Sequence, residues 1–383
     1  MKGYAKRIES IQEYYFSAKL REVNQFIAEG KPVINLGIGS PDLAPADSVT
    51  TALKNAADQS QAHGYQPYQG IPELRTAMAA YYQQAFEVHL NPIQEILPLM
   101  GSKEGIMQVS LAFLNPGDEV LIPNPGYPTY RSVTELLECT PIDYEITENG
   151  EPDWHVLESK NLTKVKIMWV NYPHMPTGIR GNKELFEKLV RFAEKHQILL
   201  INDNPYSHIL NSEPSSLLKI PGAKEVAMEL NSLSKTFNIP GWRVGMLCGK
   251  KEWVAAVLKV KSNMDSGMFL GIQKGAIAAL TLPKSWFEEL NQHYESRRKL
   301  VWQLADSLNL SYSTEQSGLF VWCQVPEGKS ADDLVDFLLY EKNIFITPGH
   351  IFGSKGTQHV RISLCLPEFK ILEAIKRIKP NKS

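Results

Sequence analysis

The chain has 383 residues, 43% of them hydrophobic and 21% charged, which excludes a disordered or fibrous protein and leaves room for two domains. Lys and Arg total 40 against 42 Asp and Glu, a formal net charge of -2, so neither nucleic acid nor an anionic membrane is an expected partner. Cys139, Cys248, Cys323 and Cys365 form no CxxC pair, which argues against a zinc cluster or a disulfide framework, and no metal site is expected. The opening MKGYAKRIESIQEYYF is charged and aromatic and does not read as a signal peptide, and no apolar run of about 18 residues occurs. A cytoplasmic protein with buried free thiols is the expectation.

In chain order, residues 5–29 predict one helix of mixed polarity. VINLGIGSPD (33–42) predicts a short strand running into a glycine-rich turn. Two helical patterns then flank the loop HGYQPYQGIP (63–72), the second starting at Pro72, a residue suited to a first helical turn. From ILPLM (96–100) onward the chain alternates. A helix over 101–114, a strand at EVLIP (119–123), a strand at KVKIMWV (164–170) and an amphipathic helix over 185–196 follow one another. Further apolar strands are expected at QILLIND (197–203), EVAMEL (225–230) and RVGMLCG (243–249). Short apolar strands separated by helical patterns predict an α/β fold with a mainly parallel sheet. After about residue 284 the texture changes. A long helix over 285–308, strands at 318–325, 344–349 and 359–366, a helix at 330–341 and a closing helix predict a small α+β domain. The domain expectation is therefore an N-terminal segment, 1–45, packing with a small domain, 285–383, around a large domain, 46–284.

The stretch NSLSKTFNIPGWRVG (231–245) places Lys235 in a polar loop after a strand, with Arg243 eight residues on. An isolated lysine in such a loop is commonly just solvated. A lysine that forms a Schiff base needs company: a phosphate site, an acid for a ring nitrogen and an anchor for a substrate carboxylate. Asp203 ends an apolar strand, where a carboxylate caps the strand or meets a ligand. GSKEG (101–105) lies between a strand and a helix, so its amides suit a phosphate, although Gly-Ser is also a common helix start.

These stretches together resemble the class I/II aminotransferases, fold type I of the pyridoxal 5′-phosphate (PLP) enzymes, from roughly residue 30 to 366. The resemblance rests on Ser-Leu-Ser-Lys-Thr-Phe followed by Gly-Trp-Arg-Val-Gly. INLGIGSPD (34–42), GSKEG and KSNMDSG (261–267) are most similar to the bacterial branch that holds LL-diaminopimelate, aspartate and alanine aminotransferases. It implies a seven-stranded sheet in the large domain, PLP as cofactor, and a ping-pong transfer between an L-amino acid and a 2-oxo acid. Lys235 is then the Schiff-base lysine and proton shuttle, Asp203 pairs with the pyridine nitrogen, and Tyr206 bonds to the ring oxygen. Ser102, Lys103, Ser232 and Arg243 hold the phosphate, and Tyr127 stacks on the ring. Gly39 lies on the substrate side, and Arg361 grips the α-carboxylate through a bidentate fork. Tyr65 reaches the phosphate of a neighbouring subunit, which implies a homodimer with composite sites. Gln66, Tyr14, Tyr15 and Asn263 are candidates for the side-chain pocket. A β-lyase or decarboxylase of the same fold would keep these residues. A noncatalytic regulatory module would add a DNA-binding segment for which the chain has no spare length.

One position departs from the pattern. Where the family has Asn-Pro-Thr-Gly, this chain reads NYPHMPTG (171–178), with Met175 in the place of an asparagine that donates to the ring oxygen. Asn171 is the nearest other amide and stands as a candidate cofactor contact. A Met175–Pro176 cis peptide is expected by the same resemblance. The lost donor implies a raised Schiff-base pKa and more weight on Tyr206. Met175→Asn is accordingly expected to lower the pH midpoint of the cofactor's visible absorbance, measured by spectrophotometric titration.

Overall fold

The structure is a computed structural model that describes residues 3–11 and 13–379. It opens with two helices, Lys6–Ser10 and Tyr15–Ala28, rather than one. The helix breaks because Ile11 and Tyr14 take extended ψ values of 123° and 121°. The break turns the Tyr14 side chain into the central cavity. A two-residue strand, β1 (Ile34–Asn35), follows.

Seven strands form the main sheet: β2 (Ile96–Leu99), β3 (Glu119–Asn124), β4 (Thr140–Glu145), β5 (Val165–Val170), β6 (Leu199–Asn204), β7 (Ala227–Ser232) and β8 (Gly245–Cys248), in the order β2-β8-β7-β6-β5-β3-β4. All neighbours are parallel except β8, which runs antiparallel to both β2 and β7. The α/β expectation with a mainly parallel seven-stranded sheet holds. β5, β6 and β7 are buried on both faces, which is why they read as near-continuous apolar runs. Helices such as Lys183–His196 cover the sheet. Asn182 caps that helix by accepting from the Leu185 amide at 2.8 Å. β7 starts two residues later than expected because Ala223–Glu225 closes a 3-10 turn first.

The chain then runs through the Lys284–Ser307 helix into β9 (Ser311–Tyr312), β10 (Phe320–Gln324), β11 (Ile344–Phe345), β12 (Thr347–Pro348) and β13 (His359–Ser363). β12-β13-β10-β9 form an antiparallel sheet, while β11 pairs in parallel with β1. Val23, Ile34 and Leu36 share a hydrophobic cluster with Phe345, Val360 and Ile371. Met175 and Tyr206, from loops of the main sheet, belong to the same cluster.

Parallel strands direct their carboxyl ends to one edge, where ligands of such sheets sit. Asp203 lies near the end of β6, Ser232 ends β7, Asn171 follows β5 and Gly101 follows β2. The reversed β8 begins at that same edge, so Arg243, two residues before it, joins them.

Asp42 ties the loop of Gly39 to the rest of the molecule. Its two oxygens accept from Arg297 Nη1 and Nη2 at 2.6 and 2.9 Å, and Arg297 Nη1 also donates to the Leu364 carbonyl. Arg297 is buried, so removing its partner strands a charge. Asp42→Ala should cost about 3 kcal/mol in chemical denaturation, and the further change Arg297→Met should recover part of that loss.

Candidate active site

A cavity of about 490 Å³ opens at the strand ends. Lys103, Lys235, Arg243 and Arg361 line it, against one carboxylate, Asp203. Four cations around one acid form a site built for anions.

One end of the cavity is made of backbone and hydroxyls. Gly101 has φ +90°, and a Cβ there would run into the Arg243 guanidinium, so only glycine lets that arginine lie across the turn. A Cβ on Gly245 would sit 2.8 Å from the Ser102 nitrogen, which keeps the helix start and β8 close. The Ser102–Phe113 helix therefore presents its N-terminus here. Ser232 caps the short Leu233–Thr236 helix, and its Oγ accepts from the Ser234 amide at 3.2 Å. The buried Ser234 hydroxyl has no partner. Arg243 takes a left-handed φ of 56° and donates from Nη1 to the Pro240 carbonyl. The Lys103 amine lies 4.1 Å from the Tyr14 ring centre, and burial, with Arg243 beside it, pulls its pKa below the ordinary lysine value.

Lys235 stands at the centre. Its Nζ donates to the Gly39 carbonyl at 2.6 Å. Burial pulls its pKa down to about 8, Cys365 opposes that shift, and the Arg361 and Arg243 cations add to it. Asp203 is buried; one oxygen accepts from the Tyr130 hydroxyl at 3.0 Å, and Oδ1 has no partner. Burial pushes the Asp203 pKa up to about 7, the Tyr130 bond opposes this, and the buried Glu229 carboxyl adds to it. Tyr130 is fixed by stacking on Trp169, with ring centres 5.0 Å apart. It is a site residue that the sequence reading missed. Its signal was one helical turn after Tyr127 in PNPGYPTY, indistinct among fifteen tyrosines.

The other end is aromatic. Arg361 is only 4% exposed and has no carboxylate partner among the described residues. Its guanidinium carbon lies 3.7 Å from the Phe320 ring centre and 4.7 Å from that of Phe352. Burial pulls its pKa down to about 10. Gly39 packs so closely on Phe320 that a side chain there would overlap the ring. Tyr206 meets Phe320 edge-on, and Tyr127 packs edge-on against Tyr130. Burial raises the pKa of both hydroxyls. The Met175–Pro176 peptide is cis. Asn171 lines the cavity, but its amide is engaged: Oδ1 accepts from the Met175 amide at 2.7 Å, and Nδ2 donates to the Asp203 carbonyl.

Gly39, Ser102, Lys103, Tyr127, Asn171, Asp203, Tyr206, Ser232, Lys235, Arg243 and Arg361 thus meet around one cavity. Tyr65 does not: it is 93% exposed on the surface of the chain. Of the pocket candidates, Tyr14 lines the cavity, while Tyr15, Gln66 and Asn263 do not. Phe320, Phe16 and Ser234 line it without having been singled out.

Asp203 makes a pH prediction for the ligand-free protein. Its folded pKa of about 7 lies above the ordinary 3.8, so its contribution to stability is present below pH 4 and lost as pH rises through 7. Asp203→Asn removes that titration. The ligand-free variant should gain about 2–4 kcal/mol over wild type between pH 4 and pH 8, read as the change in their difference in unfolding free energy.

Comparison with known proteins agrees with this geometry. Residues 31–378 match the family described as aminotransferase class I and II. The LL-diaminopimelate aminotransferase of Aquifex aeolicus (strain VF5) is 39% identical over 380 residues, 98% of each chain. Apo-BacF from Bacillus subtilis superposes with a TM-score of 0.94 at 33% identity, covering 99% of this chain and 98% of that one. A single mutant of the Thermus thermophilus aspartate aminotransferase gives a TM-score of 0.91 at 26% identity, covering 98% and 99%. The chain belongs to the class I and II aminotransferases, fold type I enzymes that depend on pyridoxal 5′-phosphate, and it transfers an amino group between an L-amino acid and a 2-oxo acid.

Proposed function

We propose the following division of labour for that transfer. The observation that carries it is the excess of cations: four against one carboxylate, which matches a phosphate dianion and a substrate carboxylate bound together. Ser102, Ser232, Ser234 and Arg243, with the helix N-terminus and Lys103, would hold the phosphate. The free Oδ1 of Asp203 suits a protonated ring nitrogen, and Tyr130 keeps the carboxylate facing it. Tyr127 would cover a ring face, and Tyr206 would donate to the ring oxygen. Asn171 acts through the backbone of Asp203 and Met175.

Pyridoxal phosphate, when bound, supplies an electron-accepting ring that spreads the charge left when a substrate Cα–H bond breaks. The chain supplies the rest. Lys235 Nζ is the amine that would hold the cofactor covalently, and once released it takes the proton from Cα. An amine with a pKa of about 8 is about one-tenth neutral at pH 7, against a few parts in ten thousand for an ordinary lysine. Asp203 holds a proton at the ring nitrogen as an ion pair, which offsets the burial that raises its own pKa. Arg361 fixes the α-carboxylate so that Cα faces Lys235.

LL-diaminopimelate, the compound in the names of the curated relatives, is the donor this reading puts first. The chain further reads as a homodimer to which Tyr65 is contributed across the interface. Exposed Tyr65, Tyr68, Met264 and Phe269 support this, because the Tyr65 loop and the 264–269 stretch pack together through His63 and Phe269. Residues 1–45 and 285–383 read as one small domain carrying Arg361, supported by their shared core. Four unpaired buried cysteines support a cytoplasmic setting, and among the described residues no helix is long and apolar enough to cross a membrane.

Holoenzyme mixed with single amino acids should convert its visible absorbance to that of pyridoxamine phosphate, fastest with LL-diaminopimelate. Ammonia or carbon dioxide release instead would sink transamination. Lys235→Ala should abolish turnover, and Arg361→Gln should raise KM at least about 100-fold, as expected for a lost charged contact of 3 kcal/mol or so. Sedimentation should give twice the chain mass, and Tyr65→Phe should weaken cofactor retention; a monomer would overturn the composite site.

A further inference from the structure

A buried guanidinium normally pairs with a carboxylate, because an unpaired charge is costly away from water. Arg361 does not. Nη2 donates to the Gly37 carbonyl at 3.0 Å, Nε has no partner, and Nη1 donates to the sulfur of Met175 at 3.3 Å. Met175 is itself buried and is the one methionine among the residues lining the cavity. A thioether accepts weakly, donates nothing and carries no charge.

We propose that Met175 is the resting partner of Arg361, its sulfur standing where one oxygen of the substrate carboxylate binds and yielding to it. The proposal rests on the reading of Arg361 as the carboxylate site. The chemistry of the position supports it. An acid at residue 175 would neutralise Arg361 and compete with the substrate. A purely aliphatic side chain would leave Nη1 without an acceptor. The thioether keeps the guanidinium in place without quenching its charge. Its backbone is pinned, since the Met175 amide donates to Asn171 Oδ1 at 2.7 Å and Asn171 in turn donates to the Asp203 carbonyl. Its side chain has three rotatable bonds and can move aside. Arg361, Met175, Asn171 and the Asp203 backbone are therefore linked by consecutive hydrogen bonds. Met175 is a positioning residue: it acts on the substrate through Arg361 and tunes affinity for the carboxylate.

The test uses holoenzyme and propanoate, the carboxylate frame of an amino acid without its amino group. Removing a competing acceptor destabilises only the free state, so Met175→Leu should bind propanoate roughly two- to tenfold more tightly by calorimetry, the span of one net hydrogen bond. The pH midpoint of the cofactor's visible absorbance should stay in place, because neither side chain donates a proton. Unchanged or weaker propanoate binding in Met175→Leu overturns the proposal. In the wild-type holoenzyme, labelled with ¹³C at its methionine methyls, propanoate should shift one methyl resonance. A spectrum with no shift at saturation overturns the proposal without any variant. Arg361→Gln separates the two ideas. If it abolishes propanoate binding while Met175→Leu changes nothing, only the role of Met175 falls. If it binds propanoate like wild type, the carboxylate role of Arg361 falls, and the proposal with it.

Discussion

Positive charge held without its counter-charge is the constraint on which the site depends. Lys103, Lys235, Arg243 and Arg361 face a cavity whose single acid, Asp203, is engaged by Tyr130 rather than by any of them. Elsewhere two buried cations are paired, Arg297 with Asp42 and Lys261 with Asp265, while buried Arg75 donates to the Pro92 and Ile93 carbonyls. Arg361 is buried, so leaving it without a counter-charge costs stability, whereas Lys103 and Arg243 are exposed to water. Burial brings the pKa of Lys235 down to about 8, and the nearby Arg361 and Arg243 cations add to that shift.

Below Asp203 the sheet holds a second carboxyl. Glu229 is fully buried on β7 and accepts from Tyr82, Asn202 and the Leu217 amide. Asn202 precedes Asp203, so alternate residues of β6 serve opposite faces. One face holds Asp203 toward the cavity; the other ties β6 to β7 through a polar network. Burial of Glu229 therefore helps fix the strand that carries the acid, and its proximity is part of why Asp203 resists ionisation in the ligand-free protein.

Much of this was legible in the sequence because the motifs are contiguous. Lys235 and Arg243 share one loop, Asp203 and Tyr206 another, and apolar strand runs announced the sheet. What was not legible depends on packing between distant segments. Tyr130 matters because a strand 73 residues later brings Asp203 to its hydroxyl. Phe320 matters because β10 lies beside β13 and carries its ring onto Arg361. The extended backbone at Ile11 and at Tyr14 has no proline or glycine beside it in the sequence to mark it. Tyr65 matched its motif, yet on a single chain it touches nothing in the cavity, since its proposed partner lies on another copy.

The reversed strand β8 has a metrical consequence. A seven-residue span, from Thr236 to Trp242, separates Lys235 from Arg243, and it must leave a strand end, turn and re-enter at the same edge. Asn238 and Arg243 both take left-handed backbone angles to make that return. The loop is thus a ruler between the Lys235 amine and the Arg243 guanidinium, the two groups proposed to attach to a single small molecule. Lengthening it by one residue would leave both groups present and chemically intact, but out of register with a molecule whose own dimensions cannot change.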